Sequence, residues 1–255
     1  MIHTLLRPVL ITLLTLCLWL SNFGLLVPTS AAMAAQIDSQ FESKVLEVIR
    51  QNPEVIIESL QVYQARQQAI QQQQQQAVLD GMKANPSGII GSSPTRGAAE
   101  QDVVMVMFSD FQCPFCAEAH KTLKSFIRQH QDRVTFVYKH LPLTQIHDQA
   151  YPAALAAWAA HQQGKFWDYH DALFEQQDQL GEALYIKIAR RLGLNLEQFN
   201  GDRNSEAAER AIAEDVQLAQ SLGLRGTPFF AINGEPIPGA VSLQDFEAVL
   251  ARVLN

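Results

Sequence analysis

Apolar residues at Phe41, Val45, Val48 and Ile49 recur at helical spacing and predict a first helix over 37–50. Asn52-Pro53 interrupts it, because proline restricts the residue before it yet is tolerated in the first turn of a new helix. A second helix is predicted from 54 to about 82, with Ile49, Ile56, Tyr63, Ile70 and Ala77 recurring every seven residues and Leu46 and Leu60 on the neighbouring seam. Gln67 and Gln74 weaken that seam, and residues 71–76 are an unbroken glutamine run. Such a stripe on a segment with no core of its own predicts a helix used for self-association over 35–84. Low-complexity disorder is the other reading of the glutamine run. Residues 85–97 are rich in Pro, Gly and Ser and read as a linker, so a compact domain is expected over 98–255.

Within that domain, 103–108 (Val-Val-Met-Val-Met-Phe) is a continuous apolar run of strand length, as in a strand covered on both faces. Cys113-Pro114-Phe115-Cys116 follows a short turn and opens a helix to about 129; a second strand is predicted over 134–139. Residues 147–222 read as mainly helical, with helices near 151–162, 166–176, 181–192 and 206–222 packed by Trp158, Phe166, Trp167 and Phe174. Gly226-Thr227-Pro228 then introduces a strand over 229–232, Asn233-Gly234 signals a hairpin, and 235–238 returns before a closing amphipathic helix over 243–254. The order is strand–helix–strand, helical insertion, strand–strand–helix: an α/β domain behind an N-terminal helical extension.

The first 34 residues carry the pattern of an export signal: Arg7, an apolar run over 9–20 broken only by Thr12 and Thr15, and small residues at Ala32 and Ala34. Cleavage after Ala34 is one reading. An uncleaved membrane anchor is the other, since apolar character persists to Val27. The formal charge is −7 and Lys and Arg form no block, which sets aside nucleic-acid binding, a function that needs a basic face.

Of three cysteines, Cys17 lies in the leader, leaving Cys113 and Cys116. A pair two residues apart closes a tiny loop and removes little chain entropy, so a structural staple explains it poorly. Structural zinc needs about four ligands. No second CxxC or close histidine pair supplies them, and no metal is expected. His120, His140, His147, His161 and His170 show no ligand spacing and read as surface or packing residues. Redox exchange is the chemistry left. It needs a thiolate able to attack and to leave, and a cysteine at a helix start gains both from unpaired N–H groups and the helix dipole. Pro114 suits the first helical position, and Cys116, one turn on, is the candidate resolving thiol. Phe115 adds no charge. Asp110 is a candidate for proton transfer or tuning, or a solvated turn residue. Lys139 reads as a surface residue, with Asp110 its alternative partner.

Residues 108–116 (Phe-Ser-Asp-Phe-Gln-Cys-Pro-Phe-Cys), the helical insertion, and 225–234 (Arg-Gly-Thr-Pro-Phe-Phe-Ala-Ile-Asn-Gly) closely resemble DsbA-like thiol:disulfide interchange proteins. The resemblance implies a thioredoxin-like fold with an inserted helical domain and a cis-Pro228 beside the cysteines. Thr227 would then face the substrate. It also implies no cofactor beyond the redox-active disulfide. The implied clients are reduced or misoxidised secreted polypeptides, and the implied partner is a membrane oxidase of DsbB or vitamin K epoxide reductase type, or a membrane reductase. Residues 41–63 resemble, over a shorter stretch, the N-terminal extension of oligomeric ScsC-type members. Phe115 replaces the histidine of strongly oxidising members and Thr227 the valine they often carry, so Thr227→Val is expected to favour oxidation. A redox-inactive chaperone would need neither motif, and a glutathione-dependent enzyme would not need both cysteines.

Overall fold

The computed structural model describes residues 39–238 and 242–254; the expected export signal over 1–34 lies outside the described residues. Among the described residues no helix is long and apolar enough to cross a membrane. The chain divides into two units, the second beginning at Tyr63.

In the first unit, helix α1 (Ser39–Gln51) ends where the Asn52 backbone N–H and side-chain amide both donate to the Val48 carbonyl. Pro53 then opens helix α2 (Pro53–Ala84), whose length takes it into the second unit. Phe41, Val48, Ile49, Ile56 and Leu60 are exposed.

The second unit is built on a five-stranded sheet ordered β1-β3-β2-β4-β5: β1 (Thr95–Gly97), β2 (Val104–Ser109), β3 (Thr135–His140), β4 (Phe229–Ile232) and β5 (Glu235–Pro238). β2 and β3 are parallel, joined by helix α3 (Pro114–His130), and the other pairings are antiparallel. Alternation along the strands divides the core. Met105, Met107, Phe136, Tyr138, Phe230 and Ile232 face one cluster, completed by α3, the inserted helices and the closing helix. Val104, Val106, Phe108, Val137, Phe229 and Ala231 face the other, with Leu79 and Met82 of α2. Both faces are covered, which is why 103–108 reads as an unbroken apolar run.

The insertion comprises α4 (Ala150–Gln162), α5 (Phe166–Glu175), α6 (Glu182–Arg191), α7 (Leu196–Arg203) and α8 (Glu206–Ser221), and α9 (Leu243–Leu254) closes the chain. Seven alanines of α4 are buried, so neighbouring helices can approach its backbone closely. α7 was not anticipated: its sequence, Leu-Glu-Gln-Phe-Asn-Gly-Asp-Arg, buries Phe199 alone and lacks an apolar stripe. An N-cap makes it, with Asn195 Oδ1 accepting from the Gln198 N–H.

The segment 85–97 is not a free linker. It holds a 3-10 turn over Pro86–Ile89, buried Ile90, and β1, which pairs with β3 from Thr95↔Val137 to Gly97↔Thr135. The domain therefore starts before Ala98. It takes in the end of α2, where Lys83 pairs with Glu235 at 2.7 Å. The same end packs against the Asn233-Gly234 turn. Both turn residues have positive φ, and any side chain at Gly234 would collide with the Leu79 carbonyl.

Candidate active site

β2 and β4 are antiparallel neighbours with Phe108 opposite Phe229, so the segment leaving β2 and the segment entering β4 emerge at the same end of the sheet. The first carries Cys113 and Cys116, the second Thr227 and Pro228. The Thr227–Pro228 peptide bond is cis, and Cys113 Sγ lies 3.4 Å from the Thr227 carbonyl oxygen.

Cys113 is the N-cap of α3 and Pro114 its first helical residue. The Cys113 carbonyl accepts from the N–H groups of Cys116 and Ala117; Pro114 has no N–H, so Phe115 carries the one helix donor ahead of them. Both cysteines are free thiols; Cys113 keeps 4% of its surface exposed and Cys116 none. Phe115 stands between them with 61% exposure.

The two thiols are pulled in opposite directions. Cys113 is lowered to about 5, chiefly by a hydrogen bond from the Cys116 thiol, against the cost of its own burial; the Thr227 side chain and the backbone N–H groups of Cys116 and Phe115 add to the lowering. Cys116 is raised far above an ordinary thiol, first by burial and then by donating to Cys113. At neutral pH the pair holds one thiolate, on Cys113, and one proton, on Cys116.

Asp110 is buried, not a solvated turn residue. Its Oδ1 accepts from the Gln112 N–H at 2.8 Å, and its Oδ2 meets the Leu143 N–H at 3.0 Å and His147 Nδ1 at 2.6 Å. It thereby fixes the turn before Cys113 and ties it to the segment after β3. Lys139 is not Asp110's partner, and it is not on the surface. It points to the opposite sheet face from Tyr138, is buried, and pairs with Asp215 at 3.1 Å. Asp215 also accepts the His140 N–H at 2.8 Å, so it seals a β3 edge that β1 is too short to cover. Lys139 and Asp215 line a cavity of about 500 Å³ with Met82, Trp158 and His161; neither cysteine lines it.

Sequence reasoning missed three polar residues that hold the cysteine loop. Gln177, between α5 and α6, donates to the carbonyls of Phe111 and Cys113 at 2.8 and 2.9 Å. Gln112 donates to Asp148 and accepts from the Gln149 N–H. His147 holds Asp110. Scattered glutamines and a lone histidine carry no spacing signal, so only the folded chain brings them to the loop.

The family described as "DSBA-like thioredoxin domain" matches residues 104–251. A solved thioredoxin-like oxidoreductase from Silicibacter pomeroyi DSS-3 is 32% identical and superposes with a TM-score of 0.60, covering 64% of this chain and 93% of its own. A linker-deleted variant of Proteus mirabilis ScsC, 21% identical, shares the fold with a TM-score of 0.60, covering 89% of this chain and 99% of its own. A curated protein named Na(+)/H(+) antiporter NhaA 3 from Salinispora tropica is 37% identical over 160 residues, 63% of this chain and 24% of that protein. The chain spans about a quarter of the length of such curated relatives, and antiport is a property given to those whole proteins.

Proposed function

We propose that this chain, which belongs to the DSBA-like thioredoxin domain family, is an exported thiol–disulfide oxidoreductase that exchanges a Cys113–Cys116 disulfide with polypeptide cysteines. The family and the thioredoxin-like fold with its helical insertion are established by the match over 104–251. The observation that carries the finer reading is the opposed pull on the two thiols.

In the oxidising direction, a client thiolate attacks Cys113 of the disulfide, and the Cys113–Cys116 bond breaks. Cys116 leaves and takes up a proton, as its burial favours. A second client thiolate then attacks the client sulfur of the mixed disulfide. Cys113 departs as the low-pKa thiolate, a good leaving group. Two electrons pass from the client dithiol to the protein. The exposed Phe115 ring beside Cys113, and the Thr227 main chain facing the sulfur, are where an extended client would lie. Reoxidation or reduction of the pair falls to a membrane partner of the kind the resemblance implies.

Self-association belongs to the same reading. Ile49, Ile56, Leu60, Tyr63 and Ile70 stand 41–60% exposed at a heptad-like spacing, which suits pairing with further copies of the chain. Catalytic domains held around one client would favour rearrangement of wrong disulfides.

Insulin reduction and oxidative refolding of a reduced client test the proposal. Both should proceed with the wild-type chain and stop when Cys113 and Cys116 are both replaced by serine. Protection of an unfolded client that survives this replacement, with no exchange by the wild type, would identify a redox-inactive chaperone instead.

A further inference from the structure

Away from the sulfurs, three side chains with metal-binding atoms converge from two helices. His120 lies on α3, one turn beyond Cys116, while His170 and Asp171 lie on α5. One ligand-type atom from each falls within 4.8 Å of the other two. Asp171 Oδ1 is 3.0 Å from His170 Nδ1 and 3.7 Å from His120 Nε2. Around a tetrahedral zinc ion with bonds of about 2.0–2.1 Å, neighbouring ligand atoms stand roughly 3.3–3.4 Å apart. The two separations bracket that spacing, so modest side-chain rotation would complete the triangle.

The rings are held for this by packing. His120 stacks on Phe174 at 5.1 Å and meets His170 edge-on at 5.2 Å. His170 is 1% exposed and its Nε2 has no hydrogen-bond partner, so Phe111, Tyr138 and Trp167 around it fix its orientation. Asp171 Oδ2, the other carboxylate oxygen, takes Lys124 Nζ at 3.2 Å, while Oδ1 is the oxygen nearest the two imidazoles. Beside His120 a cleft lined by Pro114, Ala117, Lys124, Phe174 and Glu175 reaches solvent and leaves room for a further ligand such as water.

We infer that His120, His170 and Asp171 form a binding site for a zinc-like divalent transition ion, open on its fourth side to the cleft along the cysteine-bearing helix. Two imidazole nitrogens and one carboxylate suit a borderline ion; calcium and magnesium demand more oxygen ligands. The Lys124 ammonium, held at the same carboxylate, opposes a second cation and weakens binding.

The test uses the full chain with Cys113 and Cys116 held as a disulfide and Cys17 replaced by alanine, which removes thiolates as competing ligands. Competition with a chromophoric chelator should give one zinc per chain, weakened at least about tenfold in His120→Gln. Lys124→Met should bind more tightly than wild type. Cobalt added to the wild-type chain should give tetrahedral visible bands that zinc displaces, a readout that survives any folding defect in the variants. Equal affinity in His120→Gln and wild type, tighter binding absent in a folded Lys124→Met, or an octahedral cobalt spectrum would overturn the assignment.

Discussion

The carbonyl oxygen of Thr227 stands 3.4 Å from Cys113 Sγ although 114 positions separate the two residues. Nothing local brings them together. The antiparallel pairing of β2 with β4, in the register that sets Phe108 opposite Phe229, delivers both loops to one end of the sheet. The Cys113 sulfur is thus placed by non-local strand pairing, while its acidity is set locally, chiefly by Cys116.

Reduced protein should gain stability as pH rises. Folded Cys113 titrates near 5, against about 8.5 unfolded. This is a depressed acid, so its contribution is full above the unfolded value and is lost as pH falls through 5. Between those limits the slope approaches about 1.4 kcal/mol per pH unit. Cys116, pushed up, remains a thiol throughout that window. The disulfide form has neither titration, and His120 and His140, lowered by burial to about 4 and about 3, lie below that window. Urea unfolding of both forms should therefore give a reduced-minus-oxidised difference that climbs with pH. A difference flat from pH 5 to pH 8 contradicts the assignment.

Thr227→Val should raise the Cys113 pKa and make the protein a weaker oxidant. This reverses the expectation drawn from the motif. Cys116 is the main cause of the lowered value, but the Thr227 side chain, whose buried Oγ1 has no other hydrogen-bond partner, adds to it, and valine keeps the shape while removing the hydroxyl. Each unit of rise equals about 1.4 kcal/mol less stabilisation of the thiolate. The pH dependence of Cys113 alkylation measures it; an unchanged or lowered midpoint refutes it.

Much of this architecture was legible in the sequence, and the gaps have physical causes. β2 declared itself because both of its faces are buried, and the Asn233-Gly234 turn because few residues accept positive φ. β1 was missed because Thr-Arg-Gly has no apolar signature and exists only by pairing with β3. The segment 85–97 looked like a linker because composition does not report the partner a loop packs against. Lys139 was read as exposed because its neutralising carboxylate, Asp215, is 76 residues away on α8. The histidines lacked ligand spacing because the spacing that matters for His120 and His170 is between helices.

Lys139→Met should cost about 3–5 kcal/mol of stability, since it leaves the buried Asp215 carboxylate without its cation. Burial alone already pushes that carboxyl up. Lys139→Met combined with Asp215→Asn should recover most of the loss, because the amide oxygen can still accept the His140 N–H while no charge is left unpaired. Chemical denaturation of the three proteins decides it. A single variant destabilised by less than about 1 kcal/mol would place the pair among ordinary surface contacts.

Shortening the chain to begin at Tyr63 should convert an oligomer into a monomer without loss of thiol exchange. Each large aliphatic side chain buried between copies is worth roughly 1.5–3 kcal/mol, and the shortened chain lacks Ile49, Ile56 and Leu60. Light scattering on the two proteins gives the answer. Equal masses at matched concentration would remove the support for self-association through this stripe.

The most direct test of the account is trapping by the Cys116→Ser variant. Mixed with a peptide disulfide, it should accumulate a one-to-one mixed disulfide through Cys113, seen by mass spectrometry and reversed by reductant, whereas Cys113→Ser should trap none. Trapping through Cys116 in the Cys113→Ser variant, or no adduct in either, would contradict the assignment of Cys113 as the sulfur that exchanges.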